Sequence, residues 1–457
     1  MTPLNLRTGL TASLSVLALG AARAQFDVQL PLQYGWQQTV GNPAALQDHK
    51  VTVALPSFSG GYRMPFSAND LGEVRDGTLW VDADQAINRL ADRGNDQRAS
   101  LTGETLAFNY RHKRYQFGAS HRVRATGHLD LPRGLAQLAA YGNAPFVGER
   151  LQTMPTVNLA VFDEFALHGS IVLKHNLTVG VRGKFLRGTA AAQTTVARAE
   201  IYTEPLTYAT SVETDIVLHT AGAPVDFTRT GAEVGELEGY GGAGLGVGLD
   251  VGMVYRPLEE LEVGLSIRDM GAITWSDGVR HRSNGSFEFR GYEGNVFEGD
   301  GGEVNFDVAG TVDSILAEVE FVSEDEVFRT SLPTTIQATG RYSVAKLTTV
   351  HATAYAADAG VWHGGFGLGV GQRFGEWVHA GVLAGMRTGG GFVGANLLVD
   401  VYGVQLYAAC DDLVPVFNLN DAKSAHFRAG LNLAFGQLRG RKNVVGWYDL
   451  KVEGINK

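Results

Sequence analysis

Arg182, Lys184, Arg268, Arg373 and Arg428 share one side of an alternating, strand-like pattern, and Asp250 and Glu262 fall on the same side. Two kinds of chemistry are open to such a face. The basic side chains can line an anion-selective path, or they can pair with the two carboxylates in a network that fixes another segment; the network is the simpler reading. Covalent chemistry has less to stand on. Ser120-His121 and His379 are isolated, and the chain carries no H-E-x-x-H, C-x-x-C or G-x-S-x-G. Gly365, Gly367, Gly369 and Gly371 have the wrong period for a phosphate loop, and no helix pattern follows them. No enzymatic activity, cofactor or metal is therefore expected. The acidic stretch Ser276–Phe328 has carboxylates suited to calcium, but their spacing matches no calcium motif, and a solvated surface is the plainer reading.

What must position those charges is a set of strands. The clearest is Gly242–Tyr255. Successive side chains of a strand point to opposite faces. One face here is Gly242, Gly244, Gly246, Gly248, Asp250 and Gly252; the other is apolar and ends in Tyr255. Apolar on one side, small or polar on the other, with an aromatic at the edge, is the pattern of a transmembrane β-barrel strand. A wall of glycine leaves room for a backbone inside the barrel, or relieves crowding where the wall curves strongly. Leu177–Leu186, Leu261–Arg268, Gly364–Phe374 and Phe427–Phe435 repeat the alternation, with Gly365–Gly371 as a second glycine face.

The expected fold is all-β, a transmembrane antiparallel barrel of about fourteen strands with an N-terminal plug-like segment. Residues 1–24 read as a signal peptide, with Arg7, an apolar Leu10–Gly20 run and an Ala22-Arg23-Ala24 cleavage site. Residues 25–100 are expected as a plug or rim segment, 101–436 as the barrel with 276–328 as a long acidic external loop, and 437–457 as a polar tail. Within the first segment, Trp80–Asp92 has apolar residues at helical spacing, which fits either a rim helix or part of a plug.

Composition agrees with an exported barrel. The 59 glycines are above the usual share and 19% charged is below it. A mean hydropathy of -0.04 argues against a bundle of apolar helices, and alternating barrel strands average to such a value. The formal net charge of -10 argues against nucleic acid as a partner. Cys410, the single cysteine, excludes an intramolecular disulfide.

Taken in order, several stretches resemble a Bacteroidota outer-membrane barrel family of unknown function that is itself FadL-like. They are Gly41–Leu46, Phe66–Leu71, Gly142–Gly148, Leu177–Gly188, Gly244–Trp275, Ser331–Thr334 and Arg428–Gly436. The resemblance implies an outer-membrane location and a plug that starts near Asn42, Pro43 and Ala44. It implies passive transport of small hydrophobic molecules, without a chemical step. A second implied role is a non-enzymatic binding or scaffold subunit of an envelope assembly such as type IX secretion. The expected partners are outer-membrane lipid, a small hydrophobic ligand, and, for the scaffold role, a protein at the acidic loop or the tail.

Overall fold

In the computed structural model the described residues are 35–75, 78–92, 94–174, 176–222, 225–226, 233–234, 242–289, 321–358, 362–375, 377–413 and 418–438. The chain forms a closed antiparallel barrel of fourteen strand positions. β1 is built from His49–Ala54 and Ser57–Arg63, broken at Leu55-Pro56. β2 (Asp96–His112), β3 (Tyr115–Asp130), β4 (Thr156–Lys174) and β5 (Leu177–Thr203) follow. β6 combines Thr210–Ala221 with Gly244–Tyr255, and β7 combines Leu261–Trp275 with Gly278–Phe289. β8 is Val322–Asp325, Phe328–Ser331 and Thr334–Ala345. β9 (Thr348–Asp358), β10 (Trp362–Phe374), β11 (Val378–Arg387), β12 (Gly390–Val401), β13 (Val404–Cys410) and β14 (Ser424–Gln437) complete the wall. Closure runs through β1, which pairs with β14 (Val51 opposite Phe435) and with β2 (Val51 opposite Tyr110).

The barrel is a protein turned inside out. Outward positions carry exposed apolar side chains, such as Leu167, Val247, Phe366 and Leu368, the surface that lipid requires. Inward positions are polar, and Arg111, Arg124, Arg182 and Arg268 are among the largest fully buried side chains. Tyr255, Tyr342, Phe374, Trp377 and Phe435 form an exposed aromatic ring at one end, as interfacial girdles do. That end has the short turns, including 113–114, 346–347 and 402–403, and is therefore the periplasmic one. Among the described residues no helix is long and apolar enough to cross a membrane; the chain crosses with strands.

Several expected boundaries move. The wall begins at His49, so within 25–100, residues 49–63 and 96–100 are barrel wall, between an inner segment and a rim loop. In the sequence β1 reads only as a short strand over Val51–Ser57, because it is glycine-containing and interrupted by Pro56. Of the described N-terminal residues, only 35–48 lie inside, with α1 (Gln37–Gly41) at their centre. Residues 64–95 form a loop at the opposite, extracellular end. It holds α2 (Ala68–Leu71), a two-stranded hairpin and α3 (Ala83–Arg89). The helix expected over Trp80–Asp92 is thus a rim helix, started by Asp82, whose Oδ1 accepts the Gln85 amide at 3.0 Å. α4 (Arg133–Tyr141) occupies the next loop at the same end. The stretch 276–328, expected as a loop, opens and closes in strand: Gly278–Phe289 pairs along Thr210–Ala221 and extends the wall outward. Its centre, the expected signal peptide and residues 439–457 lie outside the described residues.

Candidate functional site

The lumen is the candidate site, and its contents divide by strand. Segment 35–48 packs against β14 and β2 to β7. Trp36, fully buried, donates its indole N–H to Glu104 Oε2 at 2.9 Å. Arg182 lies 5.8 Å over the same ring, and its Nη2 donates to Thr39 Oγ1 at 3.3 Å. Gln37 exchanges side-chain hydrogen bonds with Asn432 across the barrel, both at 3.1 Å. Gln116 accepts the Gln47 amide at 2.8 Å and donates to the Ala45 carbonyl at 3.0 Å. Arg111 donates to the Gln47 carbonyl at 2.6 Å. These bonds satisfy the backbone of a segment that belongs to no sheet.

Asn42, Pro43 and Ala44 seat this segment on the wall. Asn42 Oδ1 accepts the Ala44 amide at 2.9 Å, closing a turn, while Nδ2 donates to the carbonyls of Met253 and Leu265 at 3.1 and 3.3 Å. The wall below is glycine. A Cβ at Gly180 would overlap the Pro43 carbonyl, and one at Gly252 would overlap Asn42 Oδ1. Gly180, Gly252 and Gly264 are thus the positions that admit the segment, and the sequence reading weighted other glycines.

Those others serve the wall itself. A Cβ at Gly244 or Gly246 would press on the backbone of Thr274 or Ala272, and one at Gly248 on Leu332 and Lys184. Gly365 lies beneath Tyr355 and Arg387; Gly367 and Gly369 lie beneath Leu383, with Phe392 over Gly367. Gly371 is buried on the same face. Gly242 precedes the strand and is exposed, so it has no place on the inward face.

Three of the seven inward charges meet. Lys184 Nζ lies 2.7 Å from Asp250 and 2.6 Å from Asp269, and Arg182 lies 3.8 Å from Asp250. Arg124 bonds Glu164 at 2.7 Å and Asp269 at 3.0 Å, and Arg122 also pairs with Glu164. Arg268 is buried next to Asp269. The other three lie elsewhere. Glu262 pairs with Arg256 at 2.6 Å and Arg341 at 3.0 Å. Arg373 donates to the Gly375 carbonyl at the periplasmic turn. Arg428 pairs with Asp411 at 2.9 Å.

Asp269 is hidden from any parity argument. A bulge sets Asp250 of β6 against both Arg268 and Asp269 of β7, so two consecutive residues face inward. Asp269 has φ +58°, and its amide donates to Asp250 Oδ1 at 2.8 Å. Ser120 and His121, by contrast, do not meet as a catalytic pair: Ser120 is buried, and His121 is half-exposed with Thr105 Oγ1 at 2.8 Å.

The β9–β13 wall has a mixed lining, in which glycines and two small apolar clusters stand beside buried His351, His379, Arg387, Asp400 and Gln405, while a larger buried apolar cluster that includes Phe162, Leu186, Ile273, Trp275, Phe328 and Leu332 lies on β4–β8. Tyr355, Leu383 and Phe392 form one buried apolar cluster, and Leu398 and Tyr407 another. At the extracellular mouth a cavity of about 470 Å³ opens between Arg63, Trp362, Arg387, Asp412 and Ser424.

A family model described as a family of unknown function, DUF5723, matches residues 43–411. No curated protein matches the chain. Among solved structures it resembles the toluene transporter TbuX of Ralstonia pickettii, at 11% identity over 88% of this chain and 94% of that one, with a TM-score of 0.43. The Pseudomonas putida toluene transporter TodX gives 8%, 87%, 92% and 0.42 in the same order. A FadL homologue of Pseudomonas aeruginosa gives 11%, 86%, 93% and 0.42. Likeness at this level carries no argument about cargo.

Proposed function

The chain belongs to the DUF5723 family, and we propose that it is a passive outer-membrane transporter of small hydrophobic molecules. The observation that carries this reading is the asymmetry of the lumen. The N-terminal segment and the ion pairs occupy the β2–β7 side. The β9–β13 side presents Tyr355, Leu383, Phe392, Leu398 and Tyr407 among glycines and buried polar groups, with fewer ion pairs. An apolar solute crossing between segment and wall meets the second surface and avoids the first, whose charges would have to be desolvated. Toluene transporters share the overall barrel plan, which is compatible with this reading. The scaffold role has no observation in its favour; the centre of the acidic loop and residues 439–457, on which it relies, lie outside the described residues.

Leu398 is the residue to test, because the inner segment approaches the wall there: a Cβ on Gly35 would stand 3.6 Å from its Cδ1. Leu398→Trp adds bulk at that contact. Uptake of a labelled aromatic hydrocarbon into proteoliposomes should fall about tenfold or more, with the folded, heat-modifiable gel mobility retained. Unchanged uptake in the folded variant would contradict the path.

A further inference from the structure

Near the extracellular mouth, three residues from β1, the β13–β14 connection and β14 meet in an order that the sequence conceals. Ser59 Oγ lies 3.2 Å from His426 Nε2. His426 Nδ1 lies 2.6 Å from Asp411 Oδ2. Ser59 is half-buried, whereas His426 and Asp411 are buried. An accessible hydroxyl, an imidazole bonded to it through Nε2 and a buried carboxylate against Nδ1 are the roles of a nucleophile, its base and the group that orients the base. The Nδ1 contact is close but not in line for a hydrogen bond, and contacts of this kind commonly straighten only around bound substrate.

The surroundings fit the assignment. A Cβ at Gly61 would come within 2.6 Å of His426 Cδ2, so the ring occupies space that only glycine leaves. Arg428 stands opposite Ser59 across the β1–β14 ladder. Its Nη2 holds Asp411 Oδ1 at 2.9 Å, and its buried Nε–H has no acceptor among the described residues. Asp412 and Ser424, which line the 470 Å³ mouth cavity, are one and two residues from Asp411 and His426. The Arg63 guanidinium, which also lines the cavity, lies over Gly389.

We propose that Ser59, His426 and Asp411 form a hydrolytic site for small carboxylic esters entering through the mouth cavity, with Arg63 receiving an anionic substituent. Ser59 Oγ bonds to the ester carbonyl carbon and gives its proton to His426 Nε2, while the carbonyl π pair moves to oxygen facing Arg428 Nε–H. The tetrahedral centre collapses, the carbon–alkoxide bond breaks, and the leaving alcohol takes the proton from Nε2. Water then attacks the acyl-serine, passing one proton to Nε2. The Oγ–acyl bond breaks, Oγ recovers that proton, and the acid departs.

The test uses the full-length barrel folded in micelles and checked by heat-modifiable gel mobility. A fluorophosphonate should add its phosphonyl mass to the Ser59 peptide, and Ser59→Ala should carry none. Hydrolysis of p-nitrophenyl acetate should fall to the buffer rate in Ser59→Ala and in His426→Gln. The double variant should lose no more than either single one, as groups acting as a unit do. Arg428→Lys, which keeps the charge beside Asp411, should lower kcat about a hundredfold with KM unchanged. Mono-p-nitrophenyl succinate should show a KM about tenfold below that of the acetate, a preference lost in Arg63→Met. A folded wild-type barrel without an adduct on Ser59, or hydrolysis that persists in folded Ser59→Ala, would overturn the proposal and leave a structural contact. Hydrocarbon uptake by Ser59→Ala should match wild type, which separates this site from the transport path.

Discussion

The two sides of the barrel wall are built from the same alternation but fill the lumen in opposite ways. On β2–β7 the inward positions carry long charged chains that meet one another and the N-terminal segment: Glu104, Arg122, Arg124, Glu164, Arg182, Lys184, Asp250 and Asp269. On β9–β13 they mix glycines and the apolar Tyr355, Leu383 and Phe392 with buried His351, Thr353, His379, Arg387, Asp400 and Gln405, a sparser set of charges. The first side is closed by paired charge, which is costly to disturb. The second has fewer ion pairs, of which Arg387 with Asp412 at 2.6 Å is one. A barrel of equal strands can thus hold a rigid seat and a compliant passage at one level.

The largest effect should come from breaking the charged side. Glu164→Gln removes the buried carboxylate that Arg122, Arg124 and Lys184 share, leaving Asp269 to Arg124 and Lys184 alone. It should cost about 3–5 kcal/mol in urea unfolding of the micelle-bound barrel. The matching removal on the compliant side, Thr353→Ala, loses one hydrogen bond from Gln337 at 3.3 Å and should cost about 1 kcal/mol. Equal losses would erase the contrast between the two sides.

Glycine substitutions sharpen the same contrast. Gly252→Ala places a methyl on Asn42 and should cost about 1–3 kcal/mol. It should also expose residues 35–48 to added protease. Gly369→Ala, crowded by Val382 and Leu383, should cost a similar amount without exposing that segment. Limited proteolysis read by mass spectrometry separates the two, and equal exposure would mean that Gly252 is not part of the seat.

The smallest effect belongs to the rim. Asp70 accepts from Lys423 Nζ at 2.9 Å and from the Ser67 amide, and these bonds hold its carboxyl down to about 2. An unfolded aspartate titrates near ~3.9. A lowered folded value means stabilisation that is fully present above the unfolded pKa and lost as pH falls through about 2. Amide protection at Ser67 and Asp70 should therefore fall between roughly pH 4 and 2 before the lumen responds. Simultaneous loss would show that rim and lumen open together.

Much of this plan was legible because membrane strands announce both faces. Gly244–Tyr255 and Trp362–Phe374 alternate without interruption, and both are wall strands. Arg182, Lys184 and Asp250 were placed inward by parity and lie together. What failed were the irregularities. The bulge at Asp269 turns two neighbours inward, and the break at Pro56 left only Val51–Ser57 of the first strand legible. Gly180 and Gly252 look like any other wall glycine until the backbone of Pro43 and the side chain of Asn42 lie on them. Ser59, Asp411 and His426 come from separate elements, so no local spacing connects them, whereas the adjacent Ser120 and His121 draw the eye and do not meet as a pair.

Photolabelling of the purified barrel with a small diazirine-bearing hydrocarbon tests the central claim most directly. Adducts on inward-facing residues are mapped by tandem mass spectrometry and set apart from lipid-facing ones. The asymmetric lumen predicts inward adducts on Tyr355, Leu383, Phe392, Leu398 and Tyr407, reduced in Leu398→Trp. Inward adducts concentrated around Trp36, Phe162 and Lys184, or spread evenly around the wall, would contradict it.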